Sequence, residues 1–132
     1  MPLSRLARAE LLLFVLLIAH TVDHAINQPS RTLPEGSGIV GLLGFAIVAL
    51  ALIVELRGSR VGALAGVVAG ALTVLGFLAV HLFGFGPVSD PYADFDANAV
   101  SWALLLTPLA AALAVTAIAA GRVTRPRAHL AA

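Results

Sequence analysis

The chain has 132 residues, 60% of them hydrophobic and 11% charged, with a formal net charge of +1. That leaves too little polar surface to coat a water-soluble domain of this size, so the composition is that of an integral membrane protein with a lipid bilayer as its first partner. Cysteine is absent, which excludes disulfides, thiolate metal sites and thiol chemistry, and the small net charge leaves no footprint for nucleic acid. All eight basic residues are arginine, which with the Ala, Leu, Val and Gly bias points to a GC-rich bacterial genome and a bacterial plasma membrane.

Four apolar segments follow in order, at about Leu6 to Ile26, Ile39 to Leu56, Val61 to Phe83 and Asn98 to Gly121. At 1.5 Å per residue the second reaches about 27 Å and the others roughly 30–36 Å, enough to cross a hydrocarbon core with modest tilt. The expected fold is all-α, a four-helix transmembrane bundle in one domain, 1–132, with a short tail over 122–132. Turn chemistry separates the segments: Asn27, Pro29, Pro34, Gly36 and Ser37; then Arg57, Gly58, Ser59 and Arg60; then Gly84, Gly86, Pro87 and Pro91. Arg5 and Arg8 before Leu11 to Ile18 also resemble the start of a signal peptide, but the apolar run merges into a polar helical turn where a small-residue cleavage site would stand.

Each segment carries its own polar residues. The first has Glu10 close to Arg8, then His20, Asp23, His24 and Asn27; the second ends in Glu55 beside Arg57 and Arg60, so both glutamates read as interfacial ion pairs or hydrated groups. Gly62, Gly66 and Gly70 in the third make overlapping small-xxx-small repeats for close helix packing, and Gly38, Gly41 and Gly44 suggest the same for the second. His81 lies two residues before the third segment ends. Counting 100° per residue, it falls about 20° from Gly70, which turns it towards protein. The fourth begins with Asn98, Ser101 and Trp102 and contains Pro108, where a kink is expected, its lost hydrogen bond absorbed by a neighbouring helix or by Thr107.

Arginine bias sets the orientation. Arg5, Arg8, Arg57, Arg60, Arg122, Arg125 and Arg127 fall on one side and Arg31 alone on the other, so both termini are expected in the cytoplasm. Tyr92 and Trp102 then suit the outer interface, and Asp90, Asp94 and Asp96 an outer solvated loop. His129 falls in the basic tail.

This topology brings His20, Asp23, His24 and His81 near one surface. An ionisable group in a membrane segment costs roughly 2.5–3.5 kcal/mol on insertion scales and is a functional-site candidate by default. Spacings of three and four place His20, Asp23, His24 and Asn27 within roughly a 100° arc, and Asn98 and Ser101 join at the same level as supporting polar groups. Imidazole suits zinc, copper, nickel and iron; a His-x-x-x-His pair presents two nitrogens to one ion and His81 can complete the set. Asp23 is then a ligand or the acceptor that fixes an imidazole tautomer. Haem held by axial histidines uses the same residues. Against these stands a structural reading, in which the stripe and the glycine seam dock helices of a partner protein or a second copy through bonds of around 0.6 kcal/mol each. A proton pathway is disfavoured, because only Thr73 and Thr107 lie near mid-membrane and nothing joins the cluster to Glu10 or Glu55.

Val80-His81-Leu82, Ser89-Asp90-Pro91-Tyr92 and Ser101-Trp102 resemble a pattern in small four-helix membrane proteins of actinobacteria that carry no assigned function. The resemblance covers about 25 residues and implies architecture alone. Small multidrug-resistance transporters differ by a glutamate midway along their first helix. Nothing indicates an enzyme, for no nucleophile and base pair, phosphate loop or cofactor motif is present. The specific expectation is a transition-metal or haem site of His20, His24 and His81 assisted by Asp23; the competing one is a non-enzymatic accessory subunit.

Overall fold

The computed structural model describes residues 2–27, 37–84, 91–92 and 97–124. Arg31, Asp90, Asp94, Asp96, Arg125, Arg127 and His129, with the loop residues Pro29, Pro34, Gly36, Gly86 and Pro87, lie outside the described residues. The architecture is all-helical: α1 spans Arg5–Asn27, α2 Ser37–Leu56, α3 Gly62–Phe77 and α4 Ala99–Val123, with a π-helical turn, Leu78–Leu82, continuing α3. All four are long and apolar enough to cross a membrane once α3 and its π turn are taken together. Each packs on its sequence neighbours and α1 closes against α4, while the diagonal α1–α3 contact is slight.

The surface supports the bilayer reading. Large side chains such as Leu12, Leu42, Leu50, Leu64, Leu75 and Leu113 are exposed on all four helices, a belt that water would penalise and lipid accepts. The core is built from small and branched residues: Leu6, Leu13 and Leu17 of α1, Val48 and Ala51 of α2, Ala69 of α3, and Ala112, Val115 and Ala119 of α4.

Helix ends follow local chemistry. Ser4 caps α1, its Oγ accepting from the Ala7 N–H at 3.0 Å. Asn98 caps α4, its Oδ1 accepting from the N–H groups of Val100 and Ser101 at 2.9 Å each. Between α2 and α3 the chain turns through Gly58 at φ 65°, with Gly58 N bonded to Glu55 O and Ser59 N to Val54 O. This pair of bonds is the Schellman stop, in which a left-handed glycine satisfies the last carbonyls of a helix.

Two packing expectations change. A Cβ built on Gly41 or Gly44 meets nothing within 4 Å, so these two glycines do not mark close packing; they line a cavity. On α3 the repeat does accept neighbours: a Cβ at Gly70 would stand 2.8 Å from Ala112 O and 3.0 Å from Thr116 N of α4, and one at Gly62 would stand 3.2 Å from Glu55 Cα of α2. At Gly62 and Gly66 the nearest atoms belong to Glu55 and Glu10.

Candidate metal centre

His20 and His24 are one turn apart on α1, so their side chains leave the same face. His81 reaches them from the π turn, whose wider ring is closed by Phe83 N donating to Leu78 O at 2.9 Å. Such turns insert locally into α-helices and re-aim the side chains they carry; the facing of His81 therefore depends on this turn as well as on an unbroken α count. One nitrogen from each of the three rings lies within 4.8 Å of the others. Ring centroids are 4.6 Å apart for His20 and His24, 5.0 Å for His20 and His81, and 5.5 Å for His24 and His81.

The cluster is framed by aromatic rings. Phe77 stands 4.9 Å from His20 and 5.3 Å from His81, centroid to centroid. Tyr92 is buried at 1% exposure, with its hydroxyl 3.3 Å from His24 Nε2, and Trp102 packs edgewise against it at 5.4 Å. Tyr92, expected at the outer interface, faces inward as a member of the site. Tyr92 lies outside the four helices, where no periodicity reports facing, and a phenol eleven residues beyond His81 was its only signal.

His20 is the most enclosed of the three, at 6% exposure, and its Nδ1 is buried without a hydrogen-bond partner among the described residues. The Leu104 backbone of α4 lies beside its ring. Pro108, four residues further on, explains why that backbone is open to a partner: lacking an N–H, it leaves the Leu104 carbonyl without its helical donor. A backbone carbonyl is a common second contact of a ligating imidazole, fixing tautomer and ring angle. Thr107, the other group expected to absorb this loss, donates to Ala103 O.

Asp23 is buried and close enough to act electrostatically on His20. Its Oδ1 accepts from Asn27 Nδ2 at 2.5 Å, while Oδ2 is buried with no hydrogen-bond partner among the described residues. Of the supporting polar residues, Asn27 anchors Asp23, Ser101 is buried at the start of α4, and Asn98 is exposed and serves as the helix cap.

The three imidazoles line one end of a cavity of about 580 Å³ between α1, α2 and α3, otherwise walled by apolar residues and by Thr21 and Thr73. Both hydroxyls bond to carbonyls of their own helices, so the histidines bring the polar side-chain chemistry to this space. Removing the Tyr92 hydroxyl alone should loosen His24 without emptying the cluster. Tyr92→Phe is expected to weaken binding of a divalent transition metal by about tenfold, the lower end for loss of an outer contact, as read by competition titration; an unchanged affinity would remove Tyr92 from the site. Searches of family models, curated proteins and solved structures return no match for this chain, and its function is argued from these residues.

Proposed function

We propose that this multi-pass membrane protein binds a transition-metal ion through His20, His24 and His81. The observation that carries the reading is the spacing of the rings. Three imidazoles bound at about 2.0–2.1 Å to one ion place their centroids about 4.5–5.2 Å apart for angles between octahedral and tetrahedral. The separations of 4.6 and 5.0 Å fall in that range, and the 5.5 Å between His24 and His81 lies just beyond it. Binding would draw the nitrogens from within 4.8 Å to about 3.3 Å of one another, a side-chain adjustment that leaves the helices in place.

The same spacing argues against the haem alternative in its two-histidine form. Imidazoles on opposite faces of one haem iron stand about 6.3 Å apart between centroids, further than any pair here. Neutral nitrogen donors without a thiolate favour zinc, copper(II), nickel or iron over calcium or magnesium. Three protein ligands leave at least one coordination position, and the adjoining cavity offers space for a small ligand there. Asp23 supplies negative charge beside the site.

We also place the histidine end outside the cytoplasm. Support comes from Arg5, Arg8, Arg57, Arg60 and Arg122, which all fall at the opposite ends of their helices. The test of function is elemental analysis with a visible spectrum of protein purified in mild detergent, followed by cobalt titration. Expected are one metal equivalent per chain, no Soret band, and cobalt ligand-field bands on reconstitution. Protein with neither metal nor cobalt uptake would sink the reading and leave the accessory-subunit alternative.

A further inference from the structure

A second polar cluster lies at the other end of the bundle, where interfacial pairing was expected. Glu10 is not hydrated there. It is fully buried at 0% exposure, and neither carboxylate oxygen has a hydrogen-bond partner among the described residues. Glu55 is buried as well and is bonded away from its sequence neighbours Arg57 and Arg60: its Oε1 accepts from Ser4 Oγ at 2.6 Å and from Arg122 Nη1 at 2.5 Å. Glu10 and Glu55 act on each other electrostatically, with Arg122 as the opposing charge.

Charge counting then leaves a deficit. α1 contributes Glu10, α2 Glu55 and α4 Arg122; α3, which carries no charged residue, presents Gly62 and Gly66 to the two carboxylates. Two carboxylates therefore face one guanidinium, and that guanidinium is spent on Glu55. An ionised carboxylate without a partner in an apolar layer is among the costliest groups a protein can bury, and it is neutralised or paired instead. Here the layer is Leu6, Leu13 and Ala119, all inaccessible to solvent.

The glycine repeat supplies the independent observation. A Cβ at Gly66 would stand 2.9 Å from Glu10 Oε1, and one at Gly62 would stand 2.6 Å from Glu55 Oε2. The α3 backbone is bare where each carboxylate lies. Gly62 and Gly66 thus pack against Glu55 Cα of α2 and Ala119 of α4 and also leave room for the two acidic groups.

We propose that Glu10 and Glu55 form a second binding site, for one small monovalent cation, either an exchangeable proton or an alkali ion. Arg122 and Ser4 hold Glu55 so that Glu10 keeps its oxygens for the cation. Access is from the Arg122 end, where that side chain is 43% exposed. The site is single-ended. Ten residues of α1, about 15 Å, separate Glu10 from His20, and the buried layers between them, Leu13 and Leu17 with Ala112 and Val115, are apolar.

The test uses the full chain in lipid nanodiscs and two readouts: the infrared carbonyl stretch of a protonated carboxyl at neutral pH, and the thermal midpoint in sodium chloride against choline chloride. A bound proton gives the stretch in wild type and no sodium-specific shift. A bound sodium ion gives a raised midpoint in sodium and no stretch. In either case Glu10→Gln abolishes the signal, and His81→Ala, which empties the metal site, leaves it intact. Gly66→Ala, which crowds Glu10 Oε1, shifts the band or halves the sodium response and serves if Glu10→Gln does not fold. Wild type with neither signal, or a signal that survives Glu10→Gln unchanged, overturns the proposal.

Discussion

His81→Ala is expected to lower affinity for zinc or cobalt by at least about 100-fold while the four helices remain inserted and helical. Loss of even an outer contact costs about 10–100-fold, and His81 is one of only three imidazoles in the cluster. It is also the one that joins α3 to the pair on α1, so its loss leaves two nitrogens on a single helical turn. The fold should survive, because insertion depends on apolar length and on internally satisfied backbone, and His81 contributes to neither. Metal competition titration paired with circular dichroism in the same detergent checks both halves. Unchanged affinity would show that the cluster is a structural tie, and simultaneous loss of helicity would show that its main role is packing.

Gly70→Leu should be the most damaging substitution in the bundle. A Cβ at this position already presses on the backbone of α4, at Ala112 O and Thr116 N, and helix backbone cannot rotate aside as a side chain can. Overpacking costs about 1–3 kcal/mol in well-packed cores, and more where an entire helix must move. Gly41→Leu is the matched control, with nothing within 4 Å of its Cβ, and is expected within about 0.5 kcal/mol of wild type. Unfolding of the three proteins in mixed micelles ranks them. Equal stability of the two variants would refute close approach of α3 and α4.

The helices were legible because membrane-length apolar runs and arginine, glycine and proline breaks are strong, local signals. All four observed boundaries fall within a few residues of those read from sequence, apart from the π turn, which no spacing announced. His20, Asp23, His24 and Asn27 share a face by simple helical periodicity. What remained hidden depends on contacts between distant elements. Tyr92 is brought to His24 across 68 positions, and the Leu104 backbone becomes available to His20 through a proline that sequence alone could only mark as a kink. Glu10 was misread for the same reason. Its nearness to Arg8 in sequence said nothing of the glycines on α3 that let it turn inward.

The Arg122–Glu55 pair spans 67 positions, and this has a consequence for biosynthesis. As the chain emerges, α1, α2 and α3 are complete before α4 exists, and throughout that interval Glu55 has the Ser4 hydroxyl but not the Arg122 guanidinium. The same last helix brings the Leu104 backbone to His20 and packs on Gly70 and Gly66 of α3 through Ala112 and Ala119. A nascent three-helix intermediate thus exposes acidic and imidazole groups to the membrane interior until α4 inserts.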